Sequence, residues 1–236
     1  MEKEARLMES VRKYIAEHGV DDFYKPVAPK SKTKLFAVDL PHVKDVDLEE
    51  FQSKVAKSVQ KHKALYKRFQ DVSHVDWLIH RYDVLGYLTN ISLSVSPKLK
   101  EEWGITHEMF GAFYNTDYPY CSLFPDLEPG SMGNVFFFKP KKEMVVLVNP
   151  PYTPEWIAWT CKKILEWKDK ALFYVVLPVW DRKTRNELGL SKYADLPEIQ
   201  DLIAVSTSAE VVKLPFYDGL HNKKVVLKDP VHLIVV

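Results

Sequence analysis

The sequence has only two cysteines, Cys121 and Cys161, in 236 residues, so a disulfide-stapled secreted scaffold is excluded and a reducing compartment is expected. It has no excess of charge, because 33 basic residues oppose 32 acidic ones. This excludes a polycationic nucleic-acid binder but not a local basic patch. No apolar run approaches the roughly 18 residues that span a bilayer, and the charged start is unlike a signal peptide. We expect a soluble intracellular protein of the nucleus or cytoplasm, or of a viral factory if it is viral.

Several motifs of common enzyme and metal sites are also absent. There is no Cys-x-x-Cys or His-x-x-x-His spacing, so no metal site is predicted. There is no Gly-x-Ser-x-Gly, Walker loop or Gly-x-Gly-x-x-Gly, which leaves hydrolase, NTPase and dinucleotide-oxidoreductase functions without support. What is present is a composition of 46% hydrophobic and 13% aromatic residues, sufficient for a full core.

The first 95 residues have the pattern of a helical segment. Helical spacing of apolar residues predicts helices over about 1–18, 47–70 and 74–89, and Gly86 interrupts the third. A polar, proline-containing stretch at 26–32 is typical of a linker. The sequence therefore predicts an N-terminal helical segment, 1–95, that precedes a domain with a different pattern of secondary structure.

Residues 96–236 have the pattern of an α/β domain. Short β-rich runs are predicted as strands at 109–114, 135–138, 144–148, 172–177, 211–214 and 231–236. Between 144–148 and 172–177, Thr153 and Pro154 suit the start of a helix, which predicts a βαβ unit in a parallel sheet. That helix has an apolar stripe made by Trp156, Trp159, Ile164 and Trp167. The last two runs have no helix between them and could pair antiparallel at the sheet edge.

The tetrapeptide Asn149-Pro150-Pro151-Tyr152 follows the apolar run 144–148, where open α/β sheets bind ligands. Two prolines stiffen the turn and leave its carbonyls free. The Asn149 carboxamide oxygen and the Pro150 carbonyl could accept both hydrogens of one exocyclic amine, and so favour its attack on an electrophilic methyl group. Tyr152 could stack on the base. The alternative is an inert surface turn, but the aromatic fourth residue and the capped helix favour amine methylation.

Five motifs and a lead-in resemble the methyltransferase domain of the phosphorylated-CTD-interacting-factor family, the cap-specific adenosine N6-methyltransferases. The motifs are FGAFYN at 110–115, YCSLFPD at 120–126, GSMG at 130–133, NPPY at 149–152 and VLPVWDR at 176–182, after RYDVLG at 81–86. The resemblance covers about residues 78–236. It implies a Rossmann-like class I methyltransferase fold, S-adenosylmethionine as donor, and the adenosine next to the 5′ cap of messenger RNA as acceptor.

The resemblance also assigns residues by position. Asn149, Pro150, Pro151 and Tyr152 would form the catalytic turn, and the donor-binding residues would be Asn115, Asp126, Ser131, Gly133, Asn149 and Glu155. Asn115 would end the first strand, Asp126 would contact a ribose hydroxyl, and Gly133 would let the backbone approach the donor. Trp180 and Arg182 would lie near the substrate.

This sequence departs from the family pattern at three points. Met132 stands where the family has arginine, and Tyr152 where it usually has phenylalanine. The paired tryptophans and closing proline of a WW module are not found, so recruitment to the polymerase tail is not implied.

A basic stretch at 51–70 carries six positive charges and no acid. Lys54, Lys57 and Lys61 fall with Arg68 on one face of the predicted helix, away from its apolar face. Such a face can bind an RNA backbone in a salt-dependent way, or can simply be solvated. RNA contact is favoured because the rest of the chain is not basic, so these three lysines are predicted to bind RNA.

Two rival functions also stay open. One is adenine N6-methylation of DNA or of internal RNA sites, because the same catalytic turn serves those acceptors. The other is a catalytically inactive module that binds RNA or a partner. No membrane association is predicted, and protein partners are unknown.

Overall fold

The computed structural model describes residues 48–72, 74–84, 86–88, 93–123, 128–190 and 195–236. The predicted helix at 1–18, the linker at 26–32 and Asp126 lie outside the described residues. Within these ranges, none of the helices is both long enough and apolar enough to cross a membrane.

The predicted helical blocks at 47–70 and 74–89 are confirmed as three helices: α1 Leu48–Lys61, α2 Lys63–Arg68 and α3 Val75–Val84. They pack because each places apolar side chains on one side, with Val55 of α1, Leu65 of α2 and Trp77 of α3 all buried in one cluster. The block predicted at 74–89 ends earlier than predicted, at Val84. Gly86 follows with a φ of +76°, a left-handed conformation that glycine tolerates.

The larger sheet of the described residues has five strands: β2 His107–Glu108, β3 Val145–Val148, β4 Leu172–Pro178, β5 Ser208–Val212 and β8 Val231–Val235. Their order across the sheet is β2-β3-β4-β8-β5. β2, β3 and β4 are parallel, whereas β8 pairs antiparallel with both β4 and β5. The α/β class and the antiparallel pair at the edge are therefore confirmed, in a sheet that is mixed rather than all parallel.

The predicted βαβ unit is confirmed as β3, α5 Pro154–Trp167 and β4. The Thr153 side chain caps α5 by accepting a hydrogen bond from the Trp156 backbone N–H at 3.4 Å. One sheet face is covered by α5 and by α7 Pro197–Val205, whose Ile199 is fully buried there. β3 is apolar throughout because both of its faces are buried, as parallel strands require.

A second, three-stranded sheet joins residues from distant parts of the chain. β1 Leu93–Val95 pairs antiparallel with β6 Pro215–Asp218, which pairs antiparallel with β7 Lys223–Val226. Its apolar side chains pack against the second face of the larger sheet, together with α4 Pro97–Glu102. A short helix, α6 Arg182–Glu187, follows β4. The end of the predicted N-terminal segment is thus part of a sheet with C-terminal strands.

Three predicted strands differ in the structure. The prediction of a strand at 109–114 is wrong: β2 ends at Glu108, and turns follow, one of which the Asn115 side chain closes by accepting from the Ala112 N–H at 2.9 Å. The strand predicted at 135–138 is wrong too, because Val135–Phe137 form a 3₁₀ helix. The Asn134 side chain caps this helix by accepting a hydrogen bond from the Phe136 N–H. The strand predicted at 211–214 lies earlier in the chain, as β5 Ser208–Val212, and the next strand, β6, begins at Pro215.

A buried histidine makes the helical region acid-sensitive. Burial lowers the pKa of His80 to about 4, although Asp83 partly opposes the shift. His80 Nδ1 lies 2.9 Å from the Ser58 hydroxyl, which donates to Asp83. The unfolded chain takes up a proton near pH 6.5 and the folded chain only near pH 4, so acidification between these values favours unfolding.

We expect the free energy of unfolding to fall by about 2–3 kcal/mol from pH 7.5 to pH 4.5 on account of His80. Urea unfolding at both pH values measures this fall. The fall should be clearly smaller in His80→Gln, which cannot titrate, and an equal fall in both proteins would remove His80 from the explanation.

Candidate active site

A cavity of about 710 Å³ lies at the carboxyl end of β3, where the Asn-Pro-Pro-Tyr turn leaves the sheet. Its walls come from the end of α3, from β1, from the turns after β2, and from the turn that begins α5. The lining residues are Tyr82, Gly86, Tyr87, Leu93, Phe110, Gly111, Ala112, Tyr114, Asn115, Cys121, Ser122, Leu123, Val135, Asn149, Pro150, Pro151, Tyr152, Thr153, Glu155 and Trp156. A mostly apolar concavity of this size with a few polar groups is typical of small-molecule sites.

Two hydrogen bonds hold the Asn149 carboxamide in one orientation. Its Nδ2 donates to the Leu93 carbonyl of β1 at 2.9 Å, and its Oδ1 accepts from the Tyr152 hydroxyl at 3.2 Å. The first bond fixes which end of the amide is the oxygen. A carboxamide oxygen has two lone pairs, so Oδ1 can accept a second hydrogen bond from a ligand in the cavity.

Tyr152 and Pro150 complete this rigid turn. Burial raises the pKa of Tyr152, so its phenol stays neutral and remains a donor to Asn149. Pro150 is buried, Pro151 and the Tyr152 side chain are half-buried, and all three line the cavity. All four residues of the predicted catalytic turn therefore lie together at one wall.

The predicted donor-binding residues divide into three groups. Asn115 and Glu155 line the cavity with Asn149, although Asn115 lies in a turn beyond β2 and not at a strand end as predicted. Ser131 and Gly133 do not line it. They are bonded instead to Ser122, which lines the cavity. Ser131 Oγ is 2.8 Å from Ser122 Oγ, and the Gly133 carbonyl accepts a hydrogen bond from the Ser122 N–H at 3.1 Å. Asp126 lies outside the described residues.

The residues predicted near the substrate are not among those that line the cavity. Trp180 packs on the sheet face that α5 and α7 cover. Exposed Arg182 forms an ion pair with Asp195, with 2.9 Å between Nε and Oδ2.

The three lysines predicted to bind RNA, Lys54, Lys57 and Lys61, are exposed on α1. They too are absent from the cavity wall. Lys61 Nζ lies 2.7 Å from Oδ1 of Asp83, so its charge is partly matched within the protein.

Sequence reasoning missed the wall that the helical region supplies. The Tyr82 hydroxyl donates to Glu128 at 2.6 Å, and Glu128 also accepts from the Phe113 N–H at 2.8 Å and from the Tyr120 hydroxyl at 3.1 Å. Tyr87 is hydrogen-bonded to the side chain of Trp156, the third residue of α5. Tyr82 belongs to the lead-in motif at 81–86, whereas no sequence signal singles out Tyr87.

The cysteines do not provide thiolate ligands at this site. Burial raises the pKa of Cys121, which lines the cavity, and of Cys161 to about 12, so both are neutral thiols. In the described part of the chain, no group of three or more His, Cys, Asp or Glu side chains is arranged to hold a metal ion.

Comparison with known proteins gives one family. The family model described as the phosphorylated CTD interacting factor 1 WW domain matches residues 33–205, which is 173 of the 236 residues. The match extends over all the elements from α1 to α7 and includes the Asn-Pro-Pro-Tyr turn. No curated protein matches the chain. The expectation that this chain lacks the WW module itself stays a prediction.

Proposed function

The chain belongs to the phosphorylated CTD interacting factor 1 WW domain family, and on that premise we propose that it is an S-adenosylmethionine-dependent adenosine N6-methyltransferase acting on RNA. Its proposed acceptor is the cap-adjacent adenosine of messenger RNA, in the 2′-O-methylated or unmethylated form. We propose further that the mixed sheet is a Rossmann-like class I methyltransferase sheet. The observation that carries the proposal is the Asn149 carboxamide, fixed between Leu93 and Tyr152 at the wall of the cavity.

The proposed role of the turn is to hold the adenine amine by its hydrogens. Asn149 Oδ1 accepts one hydrogen and the Pro150 carbonyl the other, which favours the pyramidal form of nitrogen with a localised lone pair. The Tyr152 ring stacks on the base, a contact worth about 1–3 kcal/mol. Because two prolines already fix the backbone, little reorganisation accompanies binding.

The cavity fits the proposed donor in size and in chemistry. Its aromatic lining suits an adenine ring and a sulfonium cation, and Asn115 and Glu155 offer polar groups for the ribose and the amino-acid end. When bound, S-adenosylmethionine supplies an electrophilic methyl group. Ser131 and Gly133 would support the donor site indirectly, by holding Ser122 in the cavity wall. Asp126 remains a proposed ribose contact.

The acceptor is tested by comparing methyl incorporation into capped RNA, uncapped RNA and duplex DNA of one sequence. We expect capped RNA to be the best acceptor. Equal use of uncapped RNA would end the cap assignment, and preference for duplex DNA would favour the DNA-methylating rival.

Calorimetry with S-adenosylhomocysteine tests the inactive-module rival. An active site of this family should bind the product at micromolar concentration. Absence of binding at high micromolar concentration would favour a module that only binds RNA or a partner.

The remaining predicted substrate contacts stay proposals. Lys54 and Lys57 are exposed on α1 and are proposed to contact the RNA backbone, with Lys61 contributing less because it pairs with Asp83. Trp180 and Arg182 are proposed to contact the RNA beyond the cavity.

A further inference from the structure

Two separate parts of the fold meet at the carbonyl of Tyr114, a residue of the cavity wall. Arg68 at the end of α2 donates from Nη2 to this oxygen at 3.4 Å. The hairpin turn between β6 and β7 approaches the same oxygen: a Cβ atom at Gly219 would lie 2.4 Å from it and 2.6 Å from the Asn115 Cβ. Only glycine permits this approach, which places Arg68 and the hairpin beside the cavity.

The guanidinium group of Arg68 is available to an anion. It is half-exposed and stacks over the Phe69 ring, 4.6 Å from the ring centroid. Among the described residues, no carboxylate pairs with it. A guanidinium has five N–H donors, and the Tyr114 carbonyl takes one of them.

The hairpin presents two exposed lysines while its own acid, Asp218, is turned inward. Asp218 is fully buried, accepts from the backbone N–H groups of Leu220 and His221, and lies 2.6 Å from His221 Nδ1. The His221 side chain is 52% exposed, and Asp218 fixes its ring. Lys223 and Lys224 follow, both exposed and without an ion-pair partner among the described residues.

We propose that Arg68, Lys223 and Lys224, here called the cationic rim, bind the phosphodiester backbone of single-stranded RNA whose adenosine enters the cavity. The inference rests on the proposed function, since it takes RNA as the acceptor. RNA is favoured over a phosphorylated peptide because Arg68 and the hairpin turn at Gly219 both meet Tyr114 of the wall of a cavity that is proposed to receive a base. Phosphate contacts of this kind position the strand without reading its sequence.

The test is fluorescence anisotropy of a labelled, capped single-stranded RNA with the full chain over a range of NaCl concentrations. We expect Arg68→Gln and the pair Lys223→Gln and Lys224→Gln to weaken binding about 5- to 10-fold. The log–log salt slope should fall by about 0.7 for each phosphate that a variant no longer neutralises. Affinity for S-adenosylhomocysteine should stay unchanged in the lysine pair variant, which leaves the bond from Arg68 to Tyr114 in place.

Lys168→Gln is the matched control, because Lys168 is exposed and follows the last residue of α5, about 20 Å from the helix start at the cavity. It should bind RNA like the wild type. Among the described residues, neither lysine is hydrogen-bonded to Tyr114, so the pair keeps the test valid if Arg68→Gln disturbs the wall.

Wild-type affinity and salt slope in both rim variants would overturn the inference. So would rim-dependent binding of a phosphoserine peptide with no rim-dependent binding of RNA.

Methyl transfer by the wild type, measured separately, distinguishes the two proposals. RNA binding that depends on the rim, without any transfer, would contradict the proposed function alone. Transfer by the wild type, with rim variants that bind RNA normally, would contradict the inference alone.

Discussion

Asn149→Ala should lower the rate of methyl transfer by about 10²–10³-fold, because it removes the oxygen that we propose accepts a hydrogen of the reacting amine. The side chain also bonds to Leu93, so we expect a loss of stability of about 1 kcal/mol. Single-turnover transfer from a labelled donor measures the chemical step. Calorimetry with S-adenosylhomocysteine should show a much smaller loss of donor affinity, because Asn115 and Glu155 stay in the cavity wall.

The matched control is Asn186→Ala, since Asn186 is an exposed asparagine on α6 that does not line the cavity. It should leave both rate and stability unchanged. Turnover retained in Asn149→Ala would show that the catalytic turn has been assigned wrongly, whatever the control does.

Glu108→Ala should destabilise the protein by about 3–5 kcal/mol, because it leaves the Lys100 ammonium buried without its partner. Lys100 Nζ lies 2.6 Å from Glu108 Oε1, both side chains are nearly inaccessible, and the Thr116 hydroxyl donates to the same carboxylate oxygen. Burial raises the pKa of Glu108 although Lys100 opposes the shift. Urea unfolding at neutral pH measures the loss.

An exposed ion pair on the same helix provides the control. Lys98 and Glu102 lie 3.7 Å apart with side chains 85% and 52% exposed, so Glu102→Ala should change stability by less than about 0.5 kcal/mol. Replacing both buried partners, Lys100→Met with Glu108→Leu, should recover most of the loss. Similarly small losses of stability in Glu108→Ala and Glu102→Ala would mean that the buried pair is not desolvated as described.

The Glu108 pair also matters for the site. Glu108 ends β2, and the turns that follow it supply Phe110, Gly111, Ala112, Tyr114 and Asn115 to the cavity wall. We therefore expect Glu108→Ala to weaken donor binding at temperatures where it remains folded.

The part of the site that could be predicted from sequence is the part that local signals determine. The apolar run of β3, the two prolines and the Thr153 cap all lie within residues 145–153, and each favours its observed conformation by itself. The position of the proposed catalytic turn could be predicted from these signals, because a strand followed by a capped helix puts the turn at the carboxyl end of the sheet.

The mistaken strands show where local patterns fail. The run 109–114 has β-type residues, but Gly111 packs against Tyr120, where a Cβ would come within 2.7 Å of the ring, and Asn115 closes a turn. The cap from Asn134 similarly overrides the β-type pattern of 135–138. In both places a specific contact outweighs propensity, which is a weak preference.

The remaining walls depend on pairing between distant parts of the chain. β1 reaches Asn149 through the Leu93 carbonyl only because β6, far along the sequence, holds β1 in place. Tyr82 and Tyr87 likewise belong to the helical region and reach the cavity by packing. No periodicity within either segment contains that information.

The most direct test of the central claim is mass spectrometry of nucleosides from capped RNA incubated with the protein and isotope-labelled S-adenosylmethionine. The account predicts one labelled methyl group on N6 of the cap-adjacent adenosine. A label on a ring nitrogen, on a ribose oxygen or on guanine would contradict the assignment of Asn149 and Pro150 as holders of the amine. Absence of any label, with S-adenosylhomocysteine bound normally, would contradict the proposed transfer itself.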